Sequence, residues 1–118
     1  MIITHLLDIS LADGEIIKIE HMNENVKITY KTWNDQILLI QFTDYIRMID
    51  NRSIGNDIEH LKTDNNEDFR TEFTDSINDD LVTEEEIKDS KKYSFISSWG
   101  TNSLLTIYAK EIQVSKKQ

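Results

Sequence analysis

The feature that most constrains this chain is a period-two alternation of apolar residues, repeated between short polar turns along most of its length. VKITYKT sets Val26, Ile28 and Tyr30 on one face against Lys27, Thr29 and Lys31 on the other, the pattern of a strand with one buried face. Upstream, Gly14 opens EIIKIEHM, in which Ile17 and Ile19 alternate with Lys18 and Glu20. Asn23-Glu24-Asn25 and Trp33-Asn34-Asp35-Gln36 read as turns, because Asn and Asp tolerate the left-handed backbone a tight turn requires. ILLIQFT is nearly continuous in apolar residues and predicts a central strand. DYIRMID sets Tyr45 and Arg47 against Ile46 and Met48. Further strands are predicted within IGNDIEHLKT after Gly55, in YSFISSW with Tyr93 and Phe95 on one face, and in SLLTIYAKEIQV with Leu105, Ile107 and Ala109 on one face. Short connections favour antiparallel neighbours. The expected fold is α+β and mainly β, an antiparallel meander of about six to seven strands, sandwich or open barrel-like, in a single domain over 1–118.

The alternation stops at about residue 64 and resumes after Lys91-Lys92. Between these limits the pattern predicts one or two short helices in an acidic insert spanning about 64–91. Phe69, Phe73 and Ile77 fall four apart on one helical face, and Asp64 followed by Glu67 has capping-box character. Thr83 with Glu86 three residues later is a sharper helix start, and Val82 before the cap with Ile87 inside it forms a candidate hydrophobic staple. Glu84, Glu85 and Glu86 then occupy a first turn, where the positive end of the helix dipole favours carboxylates.

Charge is concentrated in the same segment. Eleven acids lie between Asp64 and Asp89 with Arg70 and Lys88 as the only bases, so this stretch alone accounts for the formal net charge of −9. The acids and bases outside it cancel. Such a field repels nucleic acid and membrane surfaces and attracts a basic partner over about one Debye length, ~8 Å at physiological salt. No basic stripe is present to neutralise phosphates, so nucleic-acid binding is not expected. No apolar run approaches the ~20 residues of a membrane span. The N-terminal stretch has no basic region of a secretion signal and carries Asp8 and Asp13 early, so the expected site of action is cytoplasmic.

The motifs of catalysis and metal binding are poorly represented. Asp64, Asn66, Asp68 and Asp75 match calcium-loop positions 1, 3, 5 and 12, but Phe69 stands where that loop needs glycine for a sharp turn. The chain has no cysteine and its three histidines have no zinc spacing. No nucleophile elbow surrounds Ser97-Ser98, and the three glycines are too far apart for a phosphate loop. Carboxylate pairs such as Asp13/Glu15 or Asp79/Asp80 are expected by chance in a chain with 22 acids. Trp33 and Trp99 read as core or turn-packing residues rather than stacking platforms. No catalytic residue, metal or cofactor is assigned.

Three segments in order, ADGEI at 12–16, IGNDIEHL at 54–61 and YSFISSW followed by LLTIYAKEI at the end, carry a family resemblance. Together they resemble the small bacterial immunity proteins encoded beside polymorphic toxins, as in contact-dependent growth inhibition. The resemblance covers the strand regions and skips the acidic insert, and Ala12 stands where the group has histidine. It implies a non-enzymatic inhibitor that binds one cognate toxin domain. Only Asp13, Gly14, Glu15 and Ile16 carry over, as scaffold, with Gly14 serving the turn and Ile16 the core. The charge pattern adds that the toxin is a basic, nuclease-type domain met through Asp68, Glu72, Asp75, Asp79, Asp80, Glu84, Glu85 and Glu86. The alternative reading is a small β-rich accessory or ligand-binding domain whose acidic segment serves only solubility and helix capping.

Overall fold

The computed structural model describes residues 1–117. Strand β1 (Ile2–Ile3) precedes a small hairpin of β2 (His5–Leu6) and β3 (Ile9–Ser10). There follow β4 (Gly14–Met22), β5 (Asn25–Lys31), β6 (Ile37–Thr43), β7 (Arg47–Asp50) and β8 (Asp57–Asp64). The insert holds α1 (Asn66–Phe69), a 3-10 turn (Arg70–Phe73), α2 (Thr74–Asn78) and α3 (Glu84–Lys88). The chain then returns through β9 (Lys91–Ser97), β10 (Ser103–Ala109) and β11 (Glu111–Lys116). The fold is mainly β with a small helical insert, as the alternation predicts.

Nine strands form one antiparallel sheet in the order β11-β6-β5-β4-β8-β9-β10-β7, with β1 also paired to β8. This sheet folds over into two facing halves. Along one side the halves meet at a narrow seam, where Gly14 pairs Ile58 and Glu15 pairs Asp57. Along the other side two chain segments bend from one half into the other. The segment β6–β7 runs beside β10–β11, and across the bend Ile46 N donates to Tyr108 O at 2.8 Å and Lys110 N to Thr43 O at 2.9 Å. The hydrogen-bonded circuit thereby closes into a barrel-like shell. Closure buries two sheet faces that would otherwise each need a separate cover.

The interior is built from the alternating residues. Val26, Ile28 and Tyr30 of β5, Leu38, Ile40 and Phe42 of β6, Tyr93 and Phe95 of β9, and Leu105, Ile107 and Ala109 of β10 form one buried cluster. Tyr30 stacks on Phe95 with ring centroids 6.2 Å apart, and Phe42 meets Tyr93 edge-on at 5.1 Å, so these aromatic pairs tie the two halves together. As expected for a central strand, β6 has β5 on one side and β11 on the other.

Several details depart from the sequence pattern. A bulge after Ile16 shifts the phase of β4, so Ile16 is buried while Ile17 is exposed. Gly14 is not a turn residue. It begins β4 under the Tyr30 ring, where an added Cβ would come within 2.5 Å of ring atoms. The left-handed turn position is Asp13, at φ 61°. Asp8, Asn23, Asp35, Asp44 and Asp80 also adopt positive φ, so Asp and Asn take turn positions that glycine often occupies elsewhere. The last predicted strand is two, β10 and β11, because its path crosses from one half of the barrel to the other at Lys110.

Candidate functional site

The acidic insert folds against the outside of the barrel. Inward-facing Leu105, Ile107 and Ala109 alternate on β10 with outward-facing Tyr108, and the insert packs on that ring. Phe69 and Phe73 meet Tyr108 edge-on at 5.2 and 4.8 Å. Val82 and Ile87 complete this second buried cluster, flanked by Ile46 and Ile77. The helical stripe of Phe69, Phe73 and Ile77 is therefore the docking face of the insert, as their spacing predicts.

Helix starts are decided differently at the two ends of the insert. The Thr83 hydroxyl accepts from Glu86 N and the Glu86 carboxylate accepts from Thr83 N, each at 3.1 Å, so the predicted capping box forms. Val82 and Ile87 share one buried cluster, consistent with the staple. The Asp64–Glu67 box does not form. Asp64 closes β8 opposite Lys92, Asn65 is the N-cap, and no side chain caps α1. Sheet pairing has claimed the residue that local spacing offers to the helix. Asn66 turns its amide to the Lys88 carbonyl at 3.2 Å, which binds α1 to the end of α3 and takes that side chain out of the calcium-loop register.

The eight acids singled out by charge separate into two groups. Glu72 accepts from Lys92 Nζ at 3.0 Å and from the Tyr108 hydroxyl. Burial raises the Tyr108 phenol, and the Glu72 bond raises it further. Glu84 receives a two-pronged hydrogen bond from Arg70, which holds its carboxyl below the usual range. Glu86 is held in the capping box. These three work inside the fold. Asp68 on α1, Asp75 on α2, Asp79 and Asp80 after it, and Glu85 on α3 are exposed, and no side-chain hydrogen bond or ion pair among the described residues occupies them. Asp80 has a backbone role at φ 57° while its carboxylate faces solvent.

Beside α3 a cleft of about 340 Å³ opens between the insert and the barrel corner, with Glu24, Asp44, Glu86 and Asp89 facing Tyr45 and Lys110. Among the described residues no three His, Asp or Glu side chains converge on a point that would hold a metal ion. Among the described residues no helix is long and apolar enough to cross a membrane. Trp33 and Trp99, read from sequence as core or turn-packing residues, are instead 63% and 86% exposed. Their setting in polar turns, TWND and SWGT, is the signal that bears on this. Comparison with protein-family models, characterised proteins and solved structures gives no match.

Proposed function

We propose that this protein is an immunity protein that binds a cognate antibacterial toxin domain of basic, nuclease type through the outer face of its helical insert, without catalysis. The observation that carries the reading is the charge left over after internal pairing. Among the described residues Asp68, Asp75, Asp79, Asp80 and Glu85 have no side-chain partner, yet they stand on, or directly after, helices of an insert held against the barrel by Phe69, Phe73 and Tyr108. Surplus carboxylates on a held surface suit a partner that presents cations where a nucleic-acid phosphate would lie. The contact is a protein toxin; nucleic acid and membrane are disfavoured by the sign of the field. Internal pairing accounts for Glu72 and Glu84 and capping for Glu86; under the alternative reading the other five acids serve solubility alone.

The test is protection from toxicity. Cells expressing the toxin domain encoded beside this gene should survive when this chain is co-expressed. The triple variant Asp75→Lys, Asp79→Lys, Glu85→Lys should lose protection while keeping its fold. The absence of a toxic neighbour, or undiminished protection by the folded variant, would sink the proposal. Reversing Glu84 or Glu86 is a poorer test, because it also breaks the Arg70 pair or the helix cap.

A further inference from the structure

We propose that the open edge of β11 pairs antiparallel with the same edge of a second copy of this chain, in register about Val114, joining two barrels into a two-fold dimer. The contact uses none of the insert's acids and stands independently of the toxin reading. β11 is a terminal strand of the sheet; β6 holds one side of it and, among the described residues, no strand holds the other. Its pairing with β6 fixes which backbone groups are free. Lys117 N donates to Ile37 O at 3.0 Å, continuing the register beyond Lys116 and Leu38. Hydrogen-bonded pairs alternate along an antiparallel ladder, so Glu111, Gln113 and Ser115 also bond to β6. The complementary parity recurs on the β5 side of β6, where Thr32 N donates to Gln36 O at 2.8 Å. Ile112, Val114 and Lys116 therefore direct their N–H and C=O groups outward. Ile112 and Val114 pack their side chains on the barrel core, so this row of donors and acceptors is held in place.

The charges along the strand specify the occupant. β11 is six residues long, its register with β6 has no bulge, and the chain has no proline, so several of the devices that keep sheet edges apart are missing. Glu111 opens the strand, and Lys116 and Lys117 follow at its other end. Lysines at an edge ordinarily repel a second strand, but antiparallel self-pairing brings the two ends together. With Val114 opposite the partner's Val114, Gln113 faces the partner's Ser115 and Glu111 faces the partner's Lys117. Two-fold symmetry makes that opposite-charge pair twice, and neither side chain has an ion-pair partner in its own chain among the described residues. Centring on Gln113 would instead set Lys110 against the partner's Lys116, and centring on Ser115 would carry Glu111 past the partner's Lys117. The complementarity is to this strand's own sequence, as an isologous contact requires. The net charge does not oppose it, because the acid excess lies in the insert. Lys27, Gln41 and Gln113 form one row across β5, β6 and β11, Thr29, Leu39 and Ser115 form the next, and neither row contains an acid.

The experiment follows the full chain by sedimentation equilibrium and amide NMR from about 10 μM to 1 mM, since an interface under about 1,200 Å² gives a transient dimer. Mean mass should rise with concentration. The amides of Ile112, Val114 and Lys116 should shift, while those of Gln113 and Ser115, already bonded to β6, move less. Glu111→Lys and Lys117→Glu, both at exposed positions, should each weaken self-association by about tenfold, because each turns two opposite-charge pairs into like-charge pairs. Mixed in equal amounts, the two variants should associate with each other about as tightly as the unaltered chain with itself, since the mixed dimer regains both opposite-charge pairs. A mass that stays monomeric throughout the range, concentration-dependent shifts confined to residues outside β11, or no recovery on mixing would each overturn the proposal. All three would leave the toxin reading intact.

Discussion

The guanidinium of Arg47 lies 4.0 Å above the ring centre of Phe73, joining the β7 edge of the barrel to the helical insert. The same side chain donates to the Glu72 carbonyl at 3.0 Å and to the Ser76 hydroxyl at 2.8 Å. One arginine therefore holds both the 3-10 turn and α2. Arg47→Ala should destabilise the protein by about 2 kcal/mol, the scale of a charged hydrogen bond plus a cation–π contact. Hydrogen exchange should quicken over residues 66–78 before it does in β5, β6 or β9. Uniform acceleration throughout the chain would show that the insert and barrel open as one unit.

Gly14 and Tyr30 test closure of the barrel at its seam. A Cβ at residue 14 would meet the Tyr30 ring at 2.5 Å, and the Tyr30 hydroxyl is committed to the Leu11 carbonyl at 2.5 Å. Gly14→Ala should cost about 1–3 kcal/mol as an overpacked core site. Tyr30→Phe, which keeps the ring but leaves the Leu11 carbonyl unpaired, should cost about 1–2 kcal/mol. Urea unfolding at matched m-values would measure both, and a neutral Gly14→Ala would contradict the close approach.

The capping box sets the stability of α3. Thr83→Ala should lose about 1 kcal/mol, Glu86→Ala a smaller amount, and the double variant less than the sum, since each removes half of a reciprocal pair. Strict additivity in a double-mutant cycle would mean that the two bonds do not act together.

Neutralising the acids should separate the two groups of carboxylates. Asp75→Asn, Asp79→Asn and Glu85→Gln together should leave stability unchanged or raise it at low salt, because they remove repulsion and no bond. Glu72→Gln should destabilise by removing the Lys92 pair and weakening the Tyr108 bond. Thermal melts at low and high salt would distinguish the two, and equal losses would place the first three inside the fold's own bonding.

The alkaline limb of stability follows from the buried phenols. Burial raises Tyr30 and Tyr108 above the ordinary tyrosine value, which is about 10. A group raised in the folded state contributes stability that is complete below its unfolded value and is lost as pH climbs through the folded one. Phenolate absorbance from these two should therefore emerge only together with loss of β circular dichroism. Ionisation of all four tyrosines near pH ~10 in a still-folded barrel would refute this.

The amino-acid sequence by itself determined those features governed by neighbours along the chain. Alternation in 26–30, 93–95 and 105–109 specified strands and their buried faces. The four-residue spacing of Phe69, Phe73 and Ile77 specified a helical face, and Thr83-x-x-Glu86 specified a cap, because each is a local geometric requirement. Tertiary structure decided what depends on distant partners. Asp64 went to the ladder with Lys92 rather than to a cap, since sheet pairing satisfies more backbone than one side-chain bond. Ile17 turned outward at a bulge in the β4–β5 pairing, next to the residues where β4 also pairs with β8. The pairing of Glu72 with Lys92 and of Glu84 with Arg70, and so which carboxylates remain unpaired, also follows from the packing of the insert on Tyr108.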